Sequence, residues 1–229
     1  MKLIILSTLL TLCLAGTPWI GEPGTDRDYW VSMHAQLVQQ TAQRKDEIKI
    51  VFFGDSITWM WSQENEGVTI FNQQYAPKGA FNYAIPGDRT EHLIYEIQNG
   101  EFDGLTAKLV VLMIGTNNIG VNTPADIAKG VQEVINQIYT KIPNTKILLL
   151  GILPRDGATT EEQVSQVNTL ISQFQDNSKI YYLDMSPQFQ TSPGVQIPGL
   201  YNSDNLHLSA SGYQVWYETM KPLFDSLSA

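Results

Sequence analysis

Five short apolar runs recur along the chain: Ile48–Phe53, Phe81–Ile85, Leu109–Ile114, Ile147–Leu153 and Ile180–Leu183. Most are apolar throughout rather than alternating, the pattern of parallel strands covered on both faces. Helical patterns lie between them at Arg89–Gln98, at Pro124–Ile142 with its proline in the first turn, and at Glu161–Gln175. Ser209–Leu227 closes the series. Upstream, Trp30, Met33, Leu37 and Val38 mark one more helix, which Asp26 or Asp28 is suited to start. Strands alternating with helices predict an α/β fold, a three-layer α/β/α sandwich on a five-stranded parallel sheet with right-handed crossovers.

A chain of 229 residues suits one sizeable domain rather than two. Lys2 precedes an apolar run from Leu3 to Leu14, and small Ala15 and Gly16 follow. That is the form of a secretory signal peptide, and the run is short for a membrane span. The expected organisation is a signal peptide at 1–15, a Pro/Gly-rich leader at 16–25 and a single domain at 26–229, exported from the cytoplasm. Cys13 is the only cysteine and leaves with the signal, so no disulfide is expected. The net charge of −9 and the lack of any Lys/Arg block argue against a nucleic-acid partner.

In a sheet of this kind, ligands bind beyond the carboxyl ends of the strands. The turns to inspect are GDSIT, PGDRT, GTNNIG and LPRDG, and then the long loop TSPGVQIPG leading into YNSDNLHLS. Apart from LPRDG, these hold the most chemically loaded residues. Ser56 in Gly54-Asp55-Ser56 has two readings: a helix cap, or a nucleophile raised at the open end of the sheet. A serine needs a base, and the chain has three histidines. His34 suits a partly buried structural role, and His92 a surface or supporting one. His207 follows Asp204 by three residues, a spacing that lets the carboxylate fix one ring nitrogen while the other faces a serine. Taken alone, DNLH is explained as well by an aspartate capping the last helix.

An oxyanion needs preset donors. The candidates are the N–H of Ser56 in the field of a helix start, Gly87 where a missing side chain allows close approach, and the Asn117 amide. Singly, Gly87 reads as a turn glycine and Asn117 as a turn or cap residue. Thr58 stands where a Gly-x-Ser-x-Gly elbow has its second glycine, which argues against an ordinary α/β-hydrolase. No zinc, P-loop or dinucleotide motif occurs, so no metal or cofactor is expected. Trp59, Met60 and Trp61 are read as packing residues.

GDS at Gly54–Ser56, the Gly87 turn, GTNN at Gly115–Asn118 and Asp204–His207 together resemble, in order, the four blocks of the SGNH (GDSL) hydrolase family. DRDYW…H, VFFGDSIT, PGDRTEHLIYEIQNGEFD, LVVLMIGTNNIG, ILLLGILPR and DNLHLSASGY resemble its branch of intracellular platelet-activating-factor acetylhydrolase catalytic subunits. The resemblance runs from about Asp26 to the C-terminus and implies a flavodoxin-like fold.

It also implies Ser56 as nucleophile, His207 as base, Asp204 as its orienting partner, and Ser56 N–H, Gly87 N–H and Asn117 as oxyanion hole. Asn118 stands where many family members have Asp, as in that branch. Ile57, Thr116 and Leu206 fall at the positions lining a small acyl pocket, although Ile57 and Leu206 also read as core. A homodimer is carried by the resemblance alone. The expected function is a secreted serine esterase that removes short acyl groups, acetyl first, from carbohydrate or lipid through an acyl-enzyme. The alternatives are a lysophospholipase or thioesterase for longer chains, and a catalytically silent glycan-binding module.

Overall fold

A computed structural model describes residues 17–24, 27–63 and 67–229. The signal-peptide segment and Asp26 lie outside the described residues. Helix α1 spans Arg27–Arg44 with Asp28 in its first turn. Then come β1 (Ile50–Gly54), α2 (Ser56–Trp59), α3 (Val68–Ile70), β2 (Ala80–Asn82), α4 (Thr90–Gln98) and β3 (Leu109–Met113). The chain continues through α5 (Pro124–Lys141), β4 (Lys146–Leu150), α6 (Ala158–Ser172) and β5 (Ile180–Leu183). A two-stranded antiparallel ribbon, β6 (Gln190–Ser192) with β7 (Val195–Gln196), precedes α7 (Ala210–Ser228).

The five main strands are all parallel, in the order β2-β1-β3-β4-β5. This is the three-layer α/β architecture with the flavodoxin-like strand order. Successive residues of a strand point to opposite faces, so each strand feeds two cores. Val51, Phe53, Val110 and Leu112 pack with Leu93, Val131, Ile135 and Val167 from α4, α5 and α6. Ile50, Phe52, Val111 and Leu148 face the other way, onto Trp61, Tyr75 and the Tyr213, Trp216 and Phe224 side of α7. Burying each such side chain stabilises the fold by about 1.5–3 kcal/mol. Trp61 is fully buried, its ring 5.3 Å from that of Trp216. Packing is therefore its role, while Trp59 and Met60 are half-buried.

Several boundaries differ from the sequence reading. The run Phe81–Ile85 is strand only over Ala80–Asn82, because the Asn82 side chain turns the chain. It accepts from Ala84 N–H and donates to Thr58 O. The run Ile147–Leu153 stops as strand at Leu150 and turns at the rim. A helical stretch at 68–78 escaped notice since its β-branched start hides the period. Its buried residues Phe71 and Tyr75, four apart, both meet Phe52. The Pro/Gly loop contains the β6–β7 ribbon, in which Gly194 takes a positive φ of 76°.

Candidate active site

At the end of β1 the chain turns straight into α2, and Gly54 makes the turn possible. A Cβ there would stand 2.3 Å from Met113 O and 2.6 Å from Thr58 Oγ1. The cap of α2 is Asp55, whose carboxylate accepts the Ile57 N–H at 3.0 Å. Ser56 is thus the first helical residue and not the cap, which leaves its hydroxyl uncommitted to the backbone. The helix is a single turn of four residues, so its dipole is slight, and the helix-field argument for Ser56 N–H carries little. Asp55 is buried, and that burial pushes its carboxyl up to about 7 against the lowering effect of the Ile57 N–H. Tyr213 O–H donates to Ile57 O at 2.6 Å and pins the turn onto α7.

His207 reaches the same point from the other end of the sequence. Its Nε2 lies 2.8 Å from Ser56 Oγ, across 151 residues of chain. Its Nδ1 lies 2.6 Å from Asp204 Oδ2. The other Asp204 oxygen accepts the Leu206 and His207 N–H groups, each at 3.0 Å. Asn205 between them adopts a positive φ of 53°, a conformation asparagine tolerates well. The aspartate is therefore not a cap of α7, which is capped by Ser209 accepting from Gly212 N–H. Burial pulls the Asp204 carboxyl upward, but the His207 ring and the two N–H groups outweigh it and hold it below its ordinary value. The imidazole is thereby oriented with one nitrogen on a carboxylate and one on a hydroxyl, an arrangement able to remove the serine proton.

The next turn follows β2, the strand that pairs with β1. Gly87 has a φ of 86°, and nothing stands within 4 Å of where its Cβ would be. Handedness of the backbone by itself favours glycine here. Asn117, in the short helical turn after β3, donates its Nδ2–H to Asp88 O at 2.8 Å. Asn118 is fully buried and bridges to the start of α4, accepting from Thr90 N–H and donating to Glu91 Oε2. The two asparagines of GTNN thus bind their turn to PGDRT.

The other two histidines are bonded to groups other than Ser56. His34 Nδ1 lies 2.7 Å from Glu101 Oε1, and burial lowers its pKa against a raising backbone bond. His92 is buried, and its Nδ1 accepts the Arg89 N–H at 3.1 Å as part of a capping box. Of the residues assigned to an acyl pocket, Ile57 is 1% exposed within the α7-side core, and Leu206 is half-buried at its edge. Thr116 is buried, and its hydroxyl accepts from Arg155 Nη1 at 3.0 Å. Arg155 comes from LPRDG, the turn that the sequence reading set aside. That turn also meets the His207 loop, because Gln196 Nε2 donates to both Pro154 O and Asn205 O. The missed signal was a charged pair, Arg155-Asp156, at the end of an apolar strand.

Among the described residues no group of three or more His, Cys, Asp or Glu is arranged to hold a metal ion. None of the described helices is long and apolar enough to cross a membrane.

This arrangement has relatives of known name. Platelet-activating factor acetylhydrolase IB subunit alpha1 of Homo sapiens is 31% identical over 188 residues, 80% of this chain and 78% of that protein. A GDSL-like lipase of Bacteroides thetaiotaomicron superposes with a TM-score of 0.66 at 16% identity, covering 84% of this chain and 98% of the other. An acetylxylan esterase of Geobacillus stearothermophilus, solved as a catalytic mutant, gives 0.61 at 16% identity over 76% and 93%. Both show the same fold. The GDSL-like Lipase/Acylhydrolase family matches residues 52–215, from the strand before Ser56 to beyond His207. With more than half of the chain matched, this protein belongs to the GDSL-like lipase/acylhydrolase family, whose members hydrolyse esters.

Proposed function

We propose that the protein is a serine esterase that removes short acyl groups, acetyl foremost, through an acyl-enzyme on Ser56. The observation that carries this reading is the unbroken contact from Asp204 through His207 to Ser56, 2.6 Å and then 2.8 Å. His207 Nε2 takes the Ser56 proton as Oγ bonds to the ester carbonyl carbon. The negative charge that develops on the carbonyl oxygen is met by Ser56 N–H, Gly87 N–H and the free hydrogen of Asn117 Nδ2. Collapse breaks the bond to the alcohol oxygen, which leaves with the proton from His207. A water then gives its proton to His207, attacks the acyl carbon, and the second collapse returns the proton to Ser56 as the carboxylic acid departs.

Preference for short chains rests on the walls assigned to the acyl group. Ile57 is branched and packed in the core, Leu206 is partly packed, and Arg155 occupies the Thr116 hydroxyl. A long alkyl chain would have to displace a guanidinium there. The human relative is named an acetylhydrolase and the Geobacillus neighbour an acetylxylan esterase, and both names carry an acetyl ester. The apolar run after Lys2 supports export, which suits acetylated carbohydrate as substrate.

Hydrolysis of acetyl, butyryl and octanoyl aryl esters tests the reading. Wild-type activity falls along that series, and Ser56→Ala loses it on the order of 10⁵-fold or more. A maximum at octanoyl would overturn the acetyl assignment, and full activity in Ser56→Ala would overturn the nucleophile.

A further inference from the structure

The turn carrying Gly87 is fastened from behind by helix α1. Trp30, 3% exposed, donates its indole N–H to Asp88 Oδ1 at 2.8 Å, joining segments 58 residues apart. Asp88 is itself fully buried, and its backbone carbonyl is the group that receives Asn117 Nδ2–H at 2.8 Å. One residue therefore links the indole of α1, through its side chain, to the candidate oxyanion donor, through its main chain. An amide nitrogen carries two hydrogens. Holding one on Asp88 O fixes the direction of the other.

The surroundings leave Asp88 few other donors. Its Oδ2, both oxygens of Glu96 and Oε2 of Glu101 are buried with no donor among the described residues. Neither a lysine nor an arginine among the described residues lies within ion-pair distance of these three acids. His92 Nδ1 lies 3.4 Å from Asp88 Oδ1 but already accepts from Arg89 N–H. His34 is spent on Glu101. Burial pushes the Glu96 carboxyl well above its ordinary value, with the charges of Asp88 and Glu101 adding to it. The Trp30 N–H is thus the fixed neutral donor on which the Asp88 side chain turns. A buried acceptor that loses such a donor moves or captures water.

We propose that Trp30 and Asp88 are positioning residues for Asn117, setting the direction of its free amide hydrogen toward the developing oxyanion. The inference rests on the esterase reading above and adds two residues that do not touch the substrate. Trp30→Phe removes the N–H and keeps the aromatic ring, including its stack on His34 at 5.1 Å.

The test is a double-mutant cycle on an acetyl aryl ester with Trp30→Phe, Asn117→Ala and the pair. Trp30→Phe is expected to lower kcat roughly tenfold with KM within about twofold, and to lower nothing further in the Asn117→Ala background. The side-chain amide signals of Asn117 in nitrogen-15 NMR, identified by their loss in Asn117→Ala, should shift in Trp30→Phe. Asp88→Ala should reproduce the kcat loss, and Asp88→Asn, which keeps an acceptor for the indole, should restore most of it. An unchanged kcat in folded Trp30→Phe, or an equal loss in both backgrounds, overturns the positioning role and leaves the esterase reading standing. A wild type without ester hydrolysis overturns that reading instead, and the Asn117 amide signals then decide the linkage: no shift ends it.

Discussion

Asp204 orients His207 across three residues of one surface loop, with 48% of its own side chain exposed. Asn117, in the turn after the neighbouring strand β3, relies on a fully buried aspartate, and that aspartate on an indole 58 residues earlier in the chain. The first arm is a local device. An Asx-type turn and one αL asparagine suffice to aim the imidazole, and the solvated carboxylate costs little to keep charged. The second arm is a tertiary device, rigid because it is buried, and burial raises the carboxyls of Asp88, Glu96 and Glu101 above their ordinary values. Under the proposed mechanism His207 exchanges protons while Asn117 must not move, and the two constructions answer those two needs.

The comparison breaks most visibly at His207. His207→Ala should lower kcat on the order of 10⁵–10⁶-fold on an acetyl aryl ester, because the serine is left without a base. Thermal stability should hardly change, since the loop around His207 is fastened by backbone bonds and by Gln196 rather than by the ring. Steady-state kinetics beside a melting curve checks both halves. A large loss of stability would mean that this arm is no more local than the other.

Asn117→Ala sharpens the same contrast from the buried side. Removing one oxyanion donor costs about 10²–10³-fold in kcat. It also leaves Asp88 O without its partner, so here a stability loss of about 1 kcal/mol should accompany the kinetic one. Activity and urea unfolding measured on one preparation decide it. A variant with wild-type kcat would remove Asn117 from the oxyanion hole.

The local arm was also the legible one. GDS, the Asp204–His207 spacing, the five strands and most helix limits follow from short-range patterns, and the chain folds as they indicate. Four things were not readable. Asp55 rather than Ser56 caps α2, a choice that depends on which side chain reaches Ile57 N–H. Gly87 is needed for its positive φ, which motif spacing does not reveal. Arg155 on Thr116 and Trp30 on Asp88 join residues 39 and 58 apart, and no periodicity reports such meetings. Glu96 and Glu101 resemble ordinary surface acids in EIQNGEFDG, yet both are fully buried.

Those buried acids give the smallest effect and the one most particular to the second arm. Burial, with the charges of Asp88 and Glu101, raises the folded Glu96 carboxyl well above its unfolded value near 4.5. Between those two values the unfolded chain binds fewer protons than the folded one, so the Glu96 contribution to stability falls as pH rises. The slope is about 1.4 kcal/mol per pH unit for one such group, and it vanishes below the unfolded value. Glu96→Gln has no proton to lose. Its stability relative to wild type should therefore climb from pH 5 to pH 7 in urea unfolding. His34, whose pKa burial lowers, works in the opposite direction below 6.5, but it is common to both chains and cancels in the difference. Asp88 and Glu101 face Glu96 directly and are raised by burial in the same sense, so part of the slope remains in the variant. A gap between the two chains that stays constant over this range would mean that Glu96 is ionised in the folded protein.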